Sequence, residues 1–363
     1  MQPRPEIDAM KLYAPGTSVE DAEKATGHVR VIKLASNESL WGPSPQAIQS
    51  AQKALASVQY YPGMQPPALV AALAKTHQIS SQMILVGNGA DEILRVIATA
   101  YSEPGTSILY PHPSFSAYHH SARLSGADPR PIGLRPSGEN DLQAILNAID
   151  GTTRVIYLCA PNNPTGGMIS RRDWASFLAE IPKTVLVVVD GAYQEFMEEE
   201  SAPDFLEAVR QGHPVIVVRT FSKLYALAGL RIGWAVAPPS VITALNKTRE
   251  PFSLNAIGAQ AATASLEDHE YFAWVLQETR NARSHLVEML TSRGISHFSS
   301  QANFVTMKSP EEDERMMANR LLQQGFVVRP TTSFGLPGYL RVTVAPKNIL
   351  DDFMRAWDQL KGE

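Results

Sequence analysis

The 363-residue sequence has little cysteine, little net charge and no long apolar run. Its only cysteine is Cys159, so no intramolecular disulfide can form, which is typical of proteins in a reducing cytosol. The formal net charge of −4 gives no general electrostatic reason to bind nucleic acid or an anionic membrane. Apolar runs such as residues 185–189 are too short to span a bilayer, and the first residues lack the apolar core of a signal peptide. We therefore expect a cytoplasmic protein that acts on small molecules.

Several catalytic signatures are also missing. The nine histidines show neither H-x-x-x-H nor H-E-x-x-H spacing, so no metal site is predicted. The absence of a G-x-S-x-G elbow argues against an α/β-hydrolase. Residues 87–92 nearly match the dinucleotide pattern G-x-G-x-x-G, but Glu92 replaces the third glycine and the next strand ends without an acidic residue. This turn therefore fits a single phosphate better than a nicotinamide cofactor.

The chain length suggests about two domains. Residues 1–45 contain several prolines and little periodicity, which indicates an N-terminal arm that packs with the small domain or with a partner subunit. Residues 46–265 alternate short apolar strands with helical segments, which predicts a large domain built on a parallel sheet with helices on both faces. The predicted strands lie near residues 83–86, 107–110, 154–158, 185–189 and 215–219.

Residues 266–363 are predicted to form a smaller α/β domain. A long segment, residues 265–292, is interpreted as one amphipathic helix with Trp274 and Leu286 on its apolar side and Arg283 on its polar side. Strands are expected near residues 303–307, 326–329 and 339–344.

Lys223 is the first candidate for chemistry. A buried strand, residues 215–219, runs into a polar turn that ends in this lysine, and another apolar stretch follows it. Desolvation would lower the pKa of the amine and favour the neutral form that attacks carbonyl groups. Ser222 and Arg231 supply a hydroxyl and a cation suited to a phosphate. On this segment alone, an exposed loop lysine remains an alternative.

Two further polar residues follow predicted strands. Asp190 ends a fully apolar strand, where a carboxylate is costly unless it meets a positive group such as a protonated pyridine nitrogen. The alternative is a helix N-cap. Asn163 lies in a turn fixed by prolines and glycines, where its amide could bind a phenolic oxygen. Because sites in parallel sheets lie beyond the carboxyl ends of the strands, these residues are expected to meet.

Two other predicted strands are followed by a turn that could bind a phosphate and by an aromatic residue. The turn at Gly89, Ala90 and Asp91 opens a predicted helix, whose first N–H groups favour an anion. Phe115 follows the strand at residues 107–110 and could stack on a flat ring, although most aromatic side chains belong to the core.

Together these segments resemble the fold-type I aminotransferases that depend on pyridoxal 5′-phosphate, and specifically the histidinol-phosphate aminotransferase family. The resemblance spans nearly the whole chain in the expected order. It rests on residues 13–16, 34–38, 42–45, 60–63, 89–92, 163–166, 190–193, 222–223, 228–231, 302–304 and 339–343. It implies a mainly parallel sheet flanked by helices in a large domain, with a smaller α/β C-terminal domain and an N-terminal arm.

The resemblance also implies roles toward the cofactor. Lys223 would hold pyridoxal 5′-phosphate as a Schiff base and later shuttle the substrate proton, and Asp190 would pair with the pyridinium nitrogen. The other implied cofactor contacts are Asn163 and Tyr193 at the ring hydroxyl, Phe115 on the ring face, and Gly89, Ala90, Asp91, Ser222 and Arg231 at the phosphate.

The implied substrate residues include contributions from a second subunit. Arg341 would clamp the substrate carboxylate, a bidentate task that lysine does poorly. Arg329, with Tyr13 from the partner's arm, would receive the substrate's own phosphate, and Asn37 would lie near the substrate. Tyr61 would reach the cofactor phosphate of the neighbouring subunit. The resemblance therefore implies a homodimer with shared active sites, an amino donor and a 2-oxo acid as substrates.

Two segments depart from the family pattern. Residues 37–40 read Asn-Glu-Ser-Leu where Asn-Glu-Asn-Pro is common, and Gly191 stands where the family usually has glutamate. The favoured pair is L-histidinol phosphate with 2-oxoglutarate, and the departure near Asn37 bears on the exact substrate. The alternatives are an aromatic amino-acid aminotransferase, a phosphothreonine-type decarboxylase on the same scaffold, and a non-catalytic ligand-binding domain.

Overall fold

The computed structural model describes residues 2–8, 10, 16–27, 31–198 and 202–361. The helices in this part of the chain are α1 (Pro5–Asp8), α2 (Val19–Thr26), α3 (Pro45–Ala54), α4 (Pro67–His77), α5 (Gly89–Tyr101), α6 (Ala117–Ser125), α7 (Leu142–Asn147), α8 (Arg171–Glu180), α9 (Phe205–Arg210), α10 (Pro239–Thr248), α11 (Ala256–Glu267), α12 (His269–Ser292), α13 (Glu314–Gln323) and α14 (Lys347–Lys361). No helix in these residues is long and apolar enough to cross a membrane.

Three sheets accompany these helices. The strands are β1 (Ile32–Lys33), β2 (Ile84–Gly87), β3 (Ser107–His112), β4 (Asp128–Gly133), β5 (Thr153–Cys159), β6 (Leu186–Asp190), β7 (Val215–Thr220), β8 (Gly233–Val236), β9 (Phe304–Lys308), β10 (Phe326–Val327), β11 (Arg329–Pro330) and β12 (Tyr339–Thr343). The largest sheet has seven strands in the order β2-β8-β7-β6-β5-β3-β4. Strands β3 to β7 pair in parallel, and β8 runs antiparallel to both of its neighbours.

Strands β6 and β7 show why this sheet is buried on both faces. Both consist mainly of valine and other apolar residues, and every residue in them is buried. Val187 and Val217 face one hydrophobic core, whereas Val188 and Val218 face another on the opposite side. This continuous apolar pattern is typical of parallel strands covered by helices on both sides. The predicted α/β fold class is therefore confirmed.

The smaller sheet consists of β11, β12 and β9, paired antiparallel. It packs in a separate core with α12 and α14, where Leu286, Phe353 and Trp357 are fully buried. Leu34, just after β1, lies in the same core, and β1 pairs with β10. The boundaries proposed at residues 45 and 265 stay a prediction.

The sequence-based assignment of the long helix was wrong in two respects. Asp268 has a non-helical backbone (φ −90°, ψ 61°) and separates α11 from α12, so residues 265–292 are not one helix. Two residues of α12 were also assigned to the wrong face, because Trp274 is 50% exposed and Arg283 is buried, whereas Leu286 is buried as expected. The Arg283 guanidinium tolerates burial because it donates to the carbonyls of Phe196 (3.3 Å) and Ala302 (3.1 Å).

Two strands of the large sheet were missed. β4 contains Pro129 and Pro131, which read as a turn, and it lies at the sheet edge, where missing N–H donors are tolerated. β8 has only four residues and begins with Gly233. A Cβ atom on Gly233 would lie 2.5 Å from the backbone nitrogen of Ala90, so only glycine lets β8 approach the start of α5 this closely.

Candidate functional site

A cavity of about 260 Å³ lies beyond the carboxyl ends of β5, β6 and β7. It brings together most of the predicted site residues: Ala90, Asp91, Phe115, Asn163, Asp190, Tyr193, Ser222, Lys223, Arg231, Arg329 and Arg341. No role was assigned from the sequence to several other lining residues, which include Ser36, Glu38, Thr220 and Phe334. The residues at the strand ends therefore meet in one cavity, as expected from the strand-end argument.

Lys223 lies inside this cavity and is largely shielded from solvent. Its Nζ donates to the carbonyl of Ser36 at 3.0 Å and lies 5.6 Å from the centre of the Tyr193 ring. Burial, reinforced by the nearby Arg341 cation, lowers the pKa of the amine to about 8. The structure therefore excludes an exposed loop lysine. An amine with this pKa can act as a nucleophile or a base close to neutral pH.

Asp190 is the last residue of β6 and is 4% exposed. The Tyr118 hydroxyl donates to Oδ2 at 2.8 Å, and the backbone N–H of Ala192 donates to Oδ1 at 3.1 Å. Burial raises the pKa of Asp190 to about 6. No α-helix begins at this residue, so the N-cap alternative is wrong. Within the described part of the chain no salt bridge joins Asp190, so a cationic ligand would compensate its charge.

Tyr118 is a residue that sequence reasoning missed. It lies in α6, is fully buried, and stacks on Tyr157 with ring centres 5.0 Å apart. In sequence it reads as an ordinary core aromatic residue, and nothing marks it as the hydrogen-bond donor to Asp190. Its contact orients the carboxylate and, as a hydrogen bond to the charged form, holds the pKa of Asp190 below the value that burial alone would give.

The start of α5 forms an anion cradle at one end of the cavity. Gly89 has a positive φ of 78°, and a Cβ atom there would lie 2.4 Å from the Arg231 guanidinium, so the position requires glycine. Arg231 lies 3.5 Å from the Asp91 carboxylate and donates to the Ser222 hydroxyl at 3.5 Å. The first N–H groups of α5 have no partner within the helix. Together these groups fit one phosphate.

Asn163 and Tyr193 are held by residues on the other side of the cavity. The Asn163 side-chain oxygen accepts a short hydrogen bond from Arg341, which also donates to the Ala35 carbonyl at 2.6 Å. Asn37 donates to the Tyr193 hydroxyl at 3.0 Å and is itself fully buried. Asn37 does not line the cavity. Its predicted contact with substrate stays a prediction, and its observed contact is with Tyr193.

Of the remaining predicted residues, some line the cavity and others do not. Phe115 lines the cavity with its ring edge-on to Tyr118 at 5.9 Å. Arg329 and Arg341, from neighbouring strands of the small sheet, lie at the same end of the cavity. Tyr61 is 85% exposed, does not line the cavity, and contacts Phe252 with ring centres 5.2 Å apart. Tyr13 lies outside the described residues.

The cavity fits the pyridoxal phosphate that the sequence predicts. It offers a phosphate cradle at α5, a buried carboxylate with no salt bridge among the described residues, an aromatic ring, and a largely buried amine of lowered pKa. These are the groups needed to hold a phosphorylated pyridinium ring that carries a reactive aldehyde.

Comparison with known sequences agrees with this geometry. The sequence model of a family described as aminotransferase class I and II matches residues 29–354. A histidinol-phosphate aminotransferase of Moorella thermoacetica is 37% identical over 354 residues, which cover 97% of this chain and 91% of the relative. Another, from Symbiobacterium thermophilum, is 37% identical over 361 residues and covers 99% of both chains.

Solved structures show the same fold. The crystal structure of histidinol-phosphate aminotransferase from Sinorhizobium meliloti, in complex with pyridoxal 5′-phosphate, superposes with a TM-score of 0.86 and 26% identity. The match covers 96% of this chain and 94% of that one. An aspartate aminotransferase from Thermus thermophilus with maleate superposes with a TM-score of 0.84 over 99% of both chains. At 22% identity this second likeness concerns the fold alone.

Proposed function

Because this chain belongs to the aminotransferase class I and II family and uses pyridoxal 5′-phosphate, we propose that it transfers the amino group of L-histidinol phosphate to 2-oxoglutarate. The products are imidazole acetol phosphate and L-glutamate. The observation that carries the proposal is one cavity in which Lys223 and Asp190 face Arg329 and Arg341. The full-length relatives named histidinol-phosphate aminotransferase support the choice of donor.

The cofactor supplies an aldehyde that bonds amines covalently and a cationic ring that accepts electrons. The buried carboxylate of Asp190 would keep the ring nitrogen protonated, because a negative charge close to the nitrogen favours its cationic form. Lys223 binds the cofactor through its neutral amine. Once the substrate amine has displaced it, Lys223 would remove the proton from the substrate Cα and return it to the carbon of the cofactor's former aldehyde group. Asn163 and Tyr193 orient the ring hydroxyl, and the cradle at α5 anchors the phosphate.

The two arginines can serve both substrates in turn. A guanidinium binds a carboxylate or a phosphate through paired N–H groups. Histidinol phosphate has no carboxylate, so its phosphate would occupy the arginine pair, and the carboxylates of 2-oxoglutarate would use the same end of the cavity. Arg341 is fixed for this task by its contacts with Asn163 and Ala35.

The alternative functions that the sequence leaves open use different donors or give different products. A panel of amino donors added to the cofactor-loaded enzyme therefore distinguishes between these functions. Spectral conversion by histidinol phosphate supports the proposal, whereas conversion by phenylalanine but not by histidinol phosphate supports an aromatic aminotransferase. Release of carbon dioxide would identify a decarboxylase. A colourless protein that takes up no cofactor would support a non-catalytic ligand-binding domain.

Replacing Arg329 by alanine is expected to impair phosphorylated donors selectively. Loss of a charge-assisted hydrogen bond should lower kcat/KM for histidinol phosphate about 10- to 100-fold, with a smaller effect on phenylalanine. Steady-state kinetics with both donors measures this difference. Arg172→Ala, at an exposed position of α8, is the matched control. An equal loss toward both donors would remove the proposed role of Arg329.

We further propose a homodimer in which Tyr61 contacts the cofactor phosphate of the neighbouring subunit. Tyr61 belongs to a group of large apolar side chains that are exposed in the single chain: Leu55, Val58, Tyr60, Met64 and Phe252. Leu55 of this group also lines an apolar groove, together with Ile48, Leu230 and Ile257, among others. Exposed apolar surface of this kind is typical of a protein–protein contact. The exposed position of Tyr61, outside its own chain's cavity, supports a contact across the dimer.

Mixed dimers test this arrangement. A heterodimer of Tyr61→Ala and Lys223→Ala protomers should have one fully intact site if Tyr61 serves the neighbour, because the intact lysine and intact tyrosine then meet. Co-expressed, differently tagged chains should therefore recover about half of the wild-type activity per dimer, as two sites reduce to one. Recovery no better than that of the Tyr61→Ala homodimer would place Tyr61 at its own subunit's site.

A further inference from the structure

The aromatic ring of Phe334 lies against both arginines of the cavity. The guanidinium carbon of Arg329 is 5.4 Å from the ring centre, and that of Arg341 is 5.1 Å from it. Phe334 is 8% exposed and lines the cavity. Arg341 also lies 5.4 Å from the centre of the Phe304 ring, so its guanidinium is close to two aromatic rings. These distances are those of cation–π contacts.

The loop that carries Phe334 is tied to a buried carboxylate. Glu314, in the first turn of α13, is 1% exposed. Its Oε1 accepts from the backbone N–H (2.9 Å) and the hydroxyl (2.5 Å) of Thr332, and its Oε2 accepts from the N–H of Gly338 (2.9 Å). Glu314 thus fastens both ends of residues 332–338. Burial raises the pKa of Glu314, but these hydrogen bonds lower it by more, so the net pKa is below the usual value.

An aromatic ring can offset the repulsion between the two guanidinium groups without competing with the substrate, which a carboxylate would do. Two guanidinium groups that share one ligand repel each other, and the repulsion is strong where water is excluded. A carboxylate would offset the repulsion but would bind the in-plane N–H groups that recognise an anionic substrate. The face of an aromatic ring attracts cations without accepting hydrogen bonds in the guanidinium plane.

We propose that Phe334, held in place by Glu314, is a positioning residue that sets the two arginines for the anionic groups of the substrates. This role rests on the proposed function, because it takes Arg329 and Arg341 as the residues that bind substrate. Glu314 acts only through the loop and contacts no substrate.

Replacing Phe334 by leucine keeps an apolar side chain but removes the π face. We expect KM for 2-oxoglutarate and for histidinol phosphate to rise about 10-fold, with kcat changed less than threefold. The inhibition constant of inorganic phosphate, measured against 2-oxoglutarate on cofactor-loaded enzyme, should rise with it. Phe334→Tyr retains the π face and should restore these values to within about twofold of wild type. Phe298→Leu, a partly buried ring of the same domain, is the matched control.

Glu314→Gln provides an independent variant, because an amide cannot accept all three hydrogen bonds as the carboxylate does. Glu314→Gln should raise the same KM values. The melting temperature of this variant shows whether its fold is retained. A fall in kcat at unchanged KM, or a Phe334→Tyr variant as impaired as Phe334→Leu, would overturn the proposal. If the wild-type enzyme did not react with histidinol phosphate, the proposed donor would be wrong. The KM for 2-oxoglutarate and the inhibition constant of phosphate would still measure how the two arginines bind anions.

Discussion

Replacing Lys223 by alanine is expected to lower the transamination rate by about 10⁴-fold or more, because one side chain supplies both the nucleophile and the proton carrier. The amine lies in the cavity with a pKa lowered to about 8. Among the residues that the structure describes, no other lysine lines this cavity. The cradle formed by Ser222, Arg231 and the start of α5 remains intact in the variant, so some cofactor should stay bound without a covalent link.

Single-turnover absorbance measurements with a good amino donor test this expectation directly. The exposed Lys183→Ala variant is the matched control and should retain wild-type turnover. Partial recovery of the Lys223→Ala rate by small primary amines would show that the missing group is a base. A variant that transaminates at the wild-type rate would show that Lys223 is not the catalytic lysine.

The second large effect is expected at Asp190. Substitution by asparagine removes the buried charge that we propose to face the ring nitrogen, while it keeps the shape of the side chain. Breaking a buried ion pair costs about 3–5 kcal/mol, which corresponds to a loss of about 10³-fold in rate. Weaker cofactor binding should accompany it. Asp352→Asn, at a surface ion pair on α14, is the control.

Cofactor affinity should also depend on the protonation of Asp190. Burial raises the pKa of this carboxyl to about 6, so in the cofactor-free protein it is neutral below that pH and charged above it. Because the ring nitrogen binds the charged form, affinity should fall as the pH drops through about 6. Tyr118→Phe removes a hydrogen bond that favours the carboxylate, so the midpoint should move to higher pH by about one unit. An unchanged profile in Tyr118→Phe would show that this hydrogen bond does not tune Asp190.

The sequence predicted best where several local rules agreed. Asp190 ends a buried apolar strand, Lys223 and Asn163 each follow one, and the carboxyl ends of neighbouring parallel strands meet at one edge of the sheet. Helix α4 shows the same agreement of local rules in the structure, because Pro67 opens it and Gln78, in the left-handed region, ends it. Roles toward the cofactor came from the family resemblance, and they stay predictions for the individual residues.

What the sequence could not predict depends on contacts between distant residues. Tyr118 reads as core because only the fold places its hydroxyl 2.8 Å from Asp190. Arg283 reads as a surface residue because the carbonyls that satisfy it belong to other elements. The positions of Phe334 and Glu314 depend likewise on hydrogen bonds between α13 and a loop that follows β11. No periodicity in the sequence records such contacts.

The segment at Ala35 and Ser36 has a practical consequence for mutational studies. Two successive main-chain carbonyls there accept hydrogen bonds from Arg341 and from Lys223. Any amino acid at these positions would still present a carbonyl group. An alanine scan would therefore pass over the acceptors that hold the two most important cations of the cavity. Replacing the following peptide nitrogen by an ester oxygen, which weakens the carbonyl as an acceptor, would reveal them.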